Sequence, residues 1–243
     1  MKKKHYLLII VFSYLFFLLS TIPASTVTKL INSNSNIDMR GIRGTIWEGE
    51  ATLISINNAI ELNNTRWSAT IWKLLLGQLA FQTSSEFGDK NIESEIGVSF
   101  LNNYFINDLT ATVSAEKIAA LANIPLVQLS GDFNLLIDHA HWNKDELPLA
   151  TGVITWDQAT VTVTDNVSLG KITVNLSEND QQLLLANITS NDGDILVNGK
   201  AELIPEANYS VDIKLSPTVS TSDNIKSSLG LFAKEQKNGD FLF

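Results

Sequence analysis

The 243-residue chain contains no cysteine. Thiol nucleophiles, disulfides, iron–sulfur ligation and cysteine-type zinc sites are therefore excluded. Charge is sparse as well, at 18% of residues, against about 25% in an average soluble domain. Basic residues are outnumbered: 17 Lys+Arg stand against 26 Asp+Glu for a net charge of −9, and every acidic residue lies beyond Pro23. An acidic body of this kind repels phosphate backbones, so no nucleic-acid partner is expected. The Gly-x-Ser-x-Gly elbow of serine hydrolases is missing, because no glycine precedes Ser130 and Gly131 at the required spacing. Gly193 to Gly199-Lys200 is no phosphate loop either, since Ala201 stands where a Ser or Thr must hold Mg²⁺.

What is present begins with Lys2, Lys3 and Lys4, followed by the uncharged apolar run Tyr6–Ile22. As a helix this run would rise about 26 Å, just short of the roughly 30 Å hydrocarbon core. The lysines before it set the N-terminus on the cytoplasmic side. A cleaved signal peptide is the competing reading, with Ala24 before the cut. Ile22 fits the small-x-small site poorly, and the run exceeds the usual 7–15 residues of such a segment. Either way the remainder is exported.

The chain divides into a membrane anchor at residues 1–24, a linker at 25–40 and a β domain at 41–243. Asn32, Ser33, Asn34, Ser35 and Asn36 give the linker little to bury. Beyond it, apolar residues alternate with polar ones at Ile54/Ile56, Ile60/Leu62, Ile96/Val98/Phe100, Leu109/Ala111/Val113, Phe133/Leu135/Ile137, Val161/Val163, Ile172/Val174/Leu176, Ile195/Val197 and Tyr209/Val211/Ile213/Leu215. Period two places one face of a strand in a core and the other in water. Asp192-Gly193, Asn198-Gly199 and Asn238-Gly239 predict hairpin turns, and hence antiparallel neighbours. One short helix is expected from Ser114 to Ala122, with Ile118 and Leu121 three apart, capped by Ser114 and stopped by Pro125, and covering either an edge or the flat face of a sheet. The fold class is mainly β: an N-terminal transmembrane helix, then an elongated, mostly antiparallel sheet or groove. Gly44, Trp47 and Ala51 echo Gly152, Trp156 and Ala159, which suggests two related β layers.

Candidate chemistry is thin. His139 and His141 share a strand face beside Asp138, and Asp145 or Glu146 could add a ligand, but nothing fixes a third, so no metal or cofactor is assigned. Glu48/Glu50 and Asp145/Glu146 would serve glycoside hydrolysis only if they converged across a cleft. Adjacent carboxylates on a solvated face are the ordinary case. No catalytic residue and no small-molecule substrate are expected. The Asn-x-Ser/Thr sequons at Asn63, Asn166, Asn175, Asn187 and Asn208 arise from an Asn-, Ser- and Thr-rich composition. The segment Trp67 to Leu79 departs from alternation: Trp67 and Trp72 bracket a bend, Leu74, Leu75 and Leu76 form an apolar knob, and Gly77 restarts the strand before Leu79. These residues form the candidate interaction surface.

The order of these features carries a resemblance. A short anchor is followed by Gly44-Thr45-Ile46-Trp47, Gly49 and Ala51, then Trp67, Trp72, Leu74, Gly77 and Leu79, then Gly152, Ile154, Trp156 and Ala159, with Leu169-Gly170 after them. In this order the motifs resemble the type II secretion system protein N family. The resemblance implies a single-pass inner-membrane accessory component with residues 25–243 in the periplasm. It further implies the bilayer and other secretion components as partners, and no catalytic residue. At fold level the architecture is also similar to β-groove proteins that bind or bridge lipid between the two membranes.

Overall fold

A computed structural model describes residues 2–26, 36–123, 127–144, 146–162, 166–181, 183–204, 208–230 and 233–242. The side chains of Lys2, Lys3, Lys4 and Ser228 lie outside that description, as do the linker residues 27–35, Pro125, Asp145 and Val163. The chain forms two compact units, Met1–Asn91 and Ile92–Phe243. Both are mainly β, and every strand pairing described within them is antiparallel.

The first unit opens with helix α1 (Lys2–Ser20). Its large apolar side chains from Tyr6 to Leu19 are exposed all round, between 48% and 70%. The expected helix to Ile22 stops earlier, because the Thr21 hydroxyl bonds back to the Phe17 carbonyl at 2.8 Å and Pro23 cannot donate to a further turn. Ile22 instead joins the β unit: its carbonyl accepts the Ile46 N–H at 3.0 Å, and Pro23 bridges Thr45. Among the described residues no helix is long and apolar enough to cross a membrane.

Strands β1 (Ile37–Arg40), β2 (Arg43–Gly44), β3 (Glu48–Ile56), β4 (Ile60–Ala69) and β5 (Gln78–Phe87) come next. Asn57 and Asn58, with φ of 54° and 56°, make the tight β3–β4 turn. Asparagine tolerates this left-handed region better than other side chains, which is why the turn needs no glycine.

The second unit begins within β6 (Lys90–Ser99) and continues as a meander through β7 (Tyr104–Ser114), β8 (Gln128–Trp142), β9 (Leu149–Thr162), β10 (Asn166–Glu178), β11 (Leu184–Asn191), β12 (Ile195–Ile204) and β13 (Asn208–Pro217). It closes with β14 (Lys234–Glu235) and β15 (Phe241–Leu242). Register aligns one apolar row across these strands: Ile92, Ala111, Leu135, Ile154, Val174, Ile188, Gly199 and Ile213 are successive cross-strand partners. An adjacent register position gives Thr112, Asn134, Thr155, Thr173, Thr189, Asn198 and Lys214, which occupy the opposite face. Alternation in the sequence thus becomes one aliphatic and one polar face.

Three expectations are corrected. Asn198-Gly199 is no turn but the middle of β12, where a Cβ on Gly199 would lie 2.4 Å from the Asp212 carbonyl oxygen and against Ile213. The bulge between Glu93 and Glu95, opposite Asp108 at φ 50°, buries Ser94 and Glu95 and leaves Ile96 and Phe100 exposed at 41% and 73%. Helix α2 (Ala115–Leu121) packs on β7 and β8 through Ala115 and Ala119, while Leu121 is exposed, and Ser114 sits at the cap position without a side-chain cap bond. Small alanines let the helix approach the sheet closely, which bulkier Ile118 and Leu121 would prevent. A further short helix, α3 (Asp223–Leu229), has no counterpart among the sequence expectations.

Two outcomes test this architecture. Gly170 has φ +66°, and a Cβ there would lie 1.9 Å from the Asn191 carbonyl oxygen. Gly170→Val should cost at least about 1–3 kcal/mol, and Gly230→Ala, whose nearest neighbour would be 3.5 Å away, should lie within about 0.5 kcal/mol of the parent; thermal unfolding reads both. Asp240 accepts from Lys214 Nζ at 2.6 Å, and this hydrogen bond holds its carboxyl below the usual carboxylate range. The unfolded chain therefore binds that proton more readily, so the contribution to stability is present above about pH 4 and fades as pH falls through the lower folded value. Asp240→Asn should remove this acid dependence from amide exchange in the β13–β15 pairing.

Candidate interaction surfaces

Each unit carries an apolar surface that its own packing leaves uncovered in part. In the first unit, β4 ends at Ala69 and the chain turns through a 3₁₀ helix, Ile71–Leu76, before β5. Gly77 ends that turn at φ 73°, ψ 28°, and its N–H satisfies the Leu74 carbonyl, so a residue free to be left-handed allows β5 to start at once. Six residues of 3₁₀ geometry cannot bury a stripe, and the side chains splay outward. Ile71 is 56%, Trp72 58%, Leu75 90% and Leu76 64% exposed. Leu74 and Leu79 are half-buried. Lys73 Nζ sits 5.7 Å from the centroid of the Trp72 ring, within cation–π range. Trp67 is placed differently: it is half-buried, donates its indole N–H to the Thr45 carbonyl at 3.2 Å and lies against Gly49.

The end of α1 is fastened beside this turn. Trp47 Nε1 donates to the Leu19 carbonyl at 2.8 Å, supplying one of the donors that a helix C-terminus lacks. The Trp47 carbonyl in turn accepts the Ala69 N–H at 2.6 Å, and Thr70 N–H donates to the Ala80 carbonyl at 2.8 Å. One tryptophan thus connects the last turn of α1 to the residues that launch the 3₁₀ helix.

The other surface is the aliphatic face of the second unit. Ala159, Ile172 and Val197 are buried there, with Trp156, Leu169, Val174, Ile188, Ile213 and Leu215 packed against them. Phe133 stacks on Trp156 with ring centroids 4.9 Å apart, and Trp156 Nε1 donates to the Ser130 carbonyl at 3.0 Å. Burial of the face is incomplete. Among the described residues, the hydrophobic ones at 1% exposure or below are alanines, Ala51, Ala80, Ala115 and Ala159, while Leu135, Ile154, Val174, Ile188 and Ile213 are only partly buried. The polar face, by contrast, is cross-linked: Asn134 joins Thr112 and Asp157 at 2.8 Å each, and Asp157 pairs with Lys171 at 3.0 Å.

Within each unit, the described candidate acid, base and metal residues have contacts of their own. His139 Nδ1 meets Asn107 Oδ1 at 2.5 Å, and Asn107 donates to the buried Glu95 at 2.8 Å, so this histidine belongs to a cross-strand polar chain. His139 and His141 lie with ring centroids 5.2 Å apart, and His141 Nδ1 is buried without a hydrogen-bond partner among the described residues. Glu146 accepts from Asn143 at 2.6 Å, and Glu50 pairs with Arg43 at 3.6 Å. Among the described residues no group of three or more His, Asp or Glu could hold a metal ion. Glu95 escapes a sequence reading because its burial depends on the bulge.

The family model described as type II secretion system (T2SS), protein N, matches residues 35–243. The chain is also 26% identical over 236 residues to the type II secretion system protein N of Aeromonas hydrophila, covering 94% of this chain and 92% of that relative. No solved structure matches.

The fastening at Trp47 can be probed directly. Trp47→Phe keeps the ring bulk but strands the Leu19 carbonyl, at a cost of about 0.5–1.5 kcal/mol. Amide exchange at Ile46 and Ala69 should accelerate accordingly. Trp142→Phe, whose ring stacks on Tyr104 in the second unit, should leave exchange at both sites unchanged.

Proposed function

Because the chain belongs to the type II secretion system protein N family, we propose that it is a non-catalytic accessory component of that secretion machinery, held at the inner membrane by α1, with residues 25–243 in the periplasm. Its β units dock against other secretion components during export of folded proteins across the outer membrane. The observation that carries this reading is the match of residues 35–243, nearly the whole β part of the chain, to the family model. Strand addition finds little edge at β1 or β14, which span only Ile37–Arg40 and Lys234–Glu235.

Three features support the anchor. The face of α1 is apolar all round, as in a helix surrounded by lipid. Lys2, Lys3 and Lys4 precede it, with no acidic residue before Pro23. Ile22, Pro23 and the buried Ala24 are built into the first β unit, so a cut after Ala24 would remove part of the fold. The uncharged helical stretch Tyr6–Ser20 rises about 22 Å, and lysine snorkelling at one end with interfacial residues at the other makes up the shortfall.

A second reading rests on the half-covered aliphatic face of the second unit. Its cross-strand row from Ile92 to Ile213 offers lipid chains a continuous apolar track, the property of a lipid-binding or bridging groove. Lipid co-purifying with the full-length protein, and lost on Val174→Asp with Ile188→Asp, would favour it.

Deleting the gene should leave secreted proteins stranded in the periplasm. Their normal appearance outside the cell would refute the secretion role. Carbonate extraction should keep the full-length chain in the membrane pellet, whereas a shortened soluble form would refute the anchor.

A further inference from the structure

We propose that the turn Ile71–Leu76 is a second membrane contact, seated in the headgroup region of the same bilayer that receives α1; this rests on the reading of α1 as a membrane helix. The warrant is position combined with chemistry. Trp47 bonds to the Leu19 carbonyl at 2.8 Å and, through its own carbonyl, to Ala69 at 2.6 Å, so the turn begins two residues from a strand end fastened to the helix. The end of α1 and the strand end that launches the turn are thus joined through a single residue, Trp47.

The helix also falls short. Its uncharged stretch rises about 22 Å against a hydrocarbon core of roughly 30 Å. A short segment draws its flanking residues towards the lipid, and here that flank includes the base of the first β unit. The side chains meeting the surface suit it. Leu75 and Leu76, at 90% and 64% exposure, supply apolar insertion. Trp72 has the amphipathic ring that favours the water–lipid boundary. Lys73, stacked on that ring at 5.7 Å, places a cation where anionic headgroups lie. The link through Trp47 from the end of α1 to Ala69 favours the bilayer over a protein as the occupant.

The lack of native cysteine allows a direct test. The full-length protein is labelled with an environment-sensitive fluorophore at single substitutions, Phe12→Cys in α1, Leu75→Cys in the turn and Asp89→Cys at the opposite end of β5. Each is reconstituted in vesicles of phosphatidylethanolamine and phosphatidylglycerol, with and without brominated acyl chains. The expected result is loss of fluorescence to bromine at Phe12→Cys and Leu75→Cys, with a blue-shifted Leu75→Cys emission and no change at Asp89→Cys. Quenching at Phe12→Cys with a fully aqueous Leu75→Cys signal overturns the second contact and leaves the anchor standing. An aqueous signal at Phe12→Cys overturns the anchor, and the second contact falls with it. All three labels replace exposed side chains, and matching circular dichroism spectra confirm that each variant folds.

Discussion

An antiparallel ladder fixes which residues stand opposite one another, and in this chain that constraint governs nearly everything else. Once Leu135 faces Ile154, and Ile154 faces Val174, the aliphatic side chains of successive strands have no choice but to share a face. Each contact is worth a few tenths of a kcal/mol to about 1 kcal/mol, and repeated from β6 to β13 it specifies the register of the second unit. The same ladder aligns Thr, Asn and Lys on the other face, where Asn134 and Asp157 link neighbouring strands. Within the second unit, helix α2 packs on β7 and β8, and the aliphatic row of the other strands stays only partly buried.

The first unit solves a different problem. A helix with apolar residues on every side cannot pack on a sheet through one stripe, so its attachment relies on directed bonds at its end. The tryptophan indole serves this purpose well, because it combines a large ring with a single donor. Trp47 and Trp67 both use that donor on main-chain carbonyls, of Leu19 and Thr45. Gly49 is required underneath, since a Cβ there would come within 2.5 Å of the Trp67 ring.

Much of this is legible in the sequence, and the misses have physical causes. Alternation at Leu109/Ala111/Val113 and Ile172/Val174/Leu176 identifies strands because a strand exposes and buries strictly by turns. The Trp67–Leu79 segment breaks that period, and the structure places a 3₁₀ turn there. Asn198-Gly199 has the composition of a turn, yet Gly199 serves close strand approach beneath Ile213, a requirement that only the neighbouring strand reveals. The true turn at Asn57-Asn58 carries no glycine. Glu95 is hidden for a related reason: a local pattern cannot show a bulge whose second half, Asp108, lies on the partner strand. The family, by contrast, is readable from the order of short motifs, because glycines and tryptophans mark the places where two backbones or a ring and a backbone must touch.

The bulges at Asn63/Arg66, Glu93/Glu95, Ser130/Asp132 and Ile137/His139 have a wider meaning. Each one adds a residue to one strand without adding a partner, and so reverses the inside–outside parity of the residues beyond it. In a meander of this kind the chain can absorb an odd insertion only by placing another bulge nearby. Relatives will therefore differ by compensated pairs of small shifts along a strand, and alignments that slide one residue at a time will lose track of which side chains share the aliphatic face long before the architecture itself has changed.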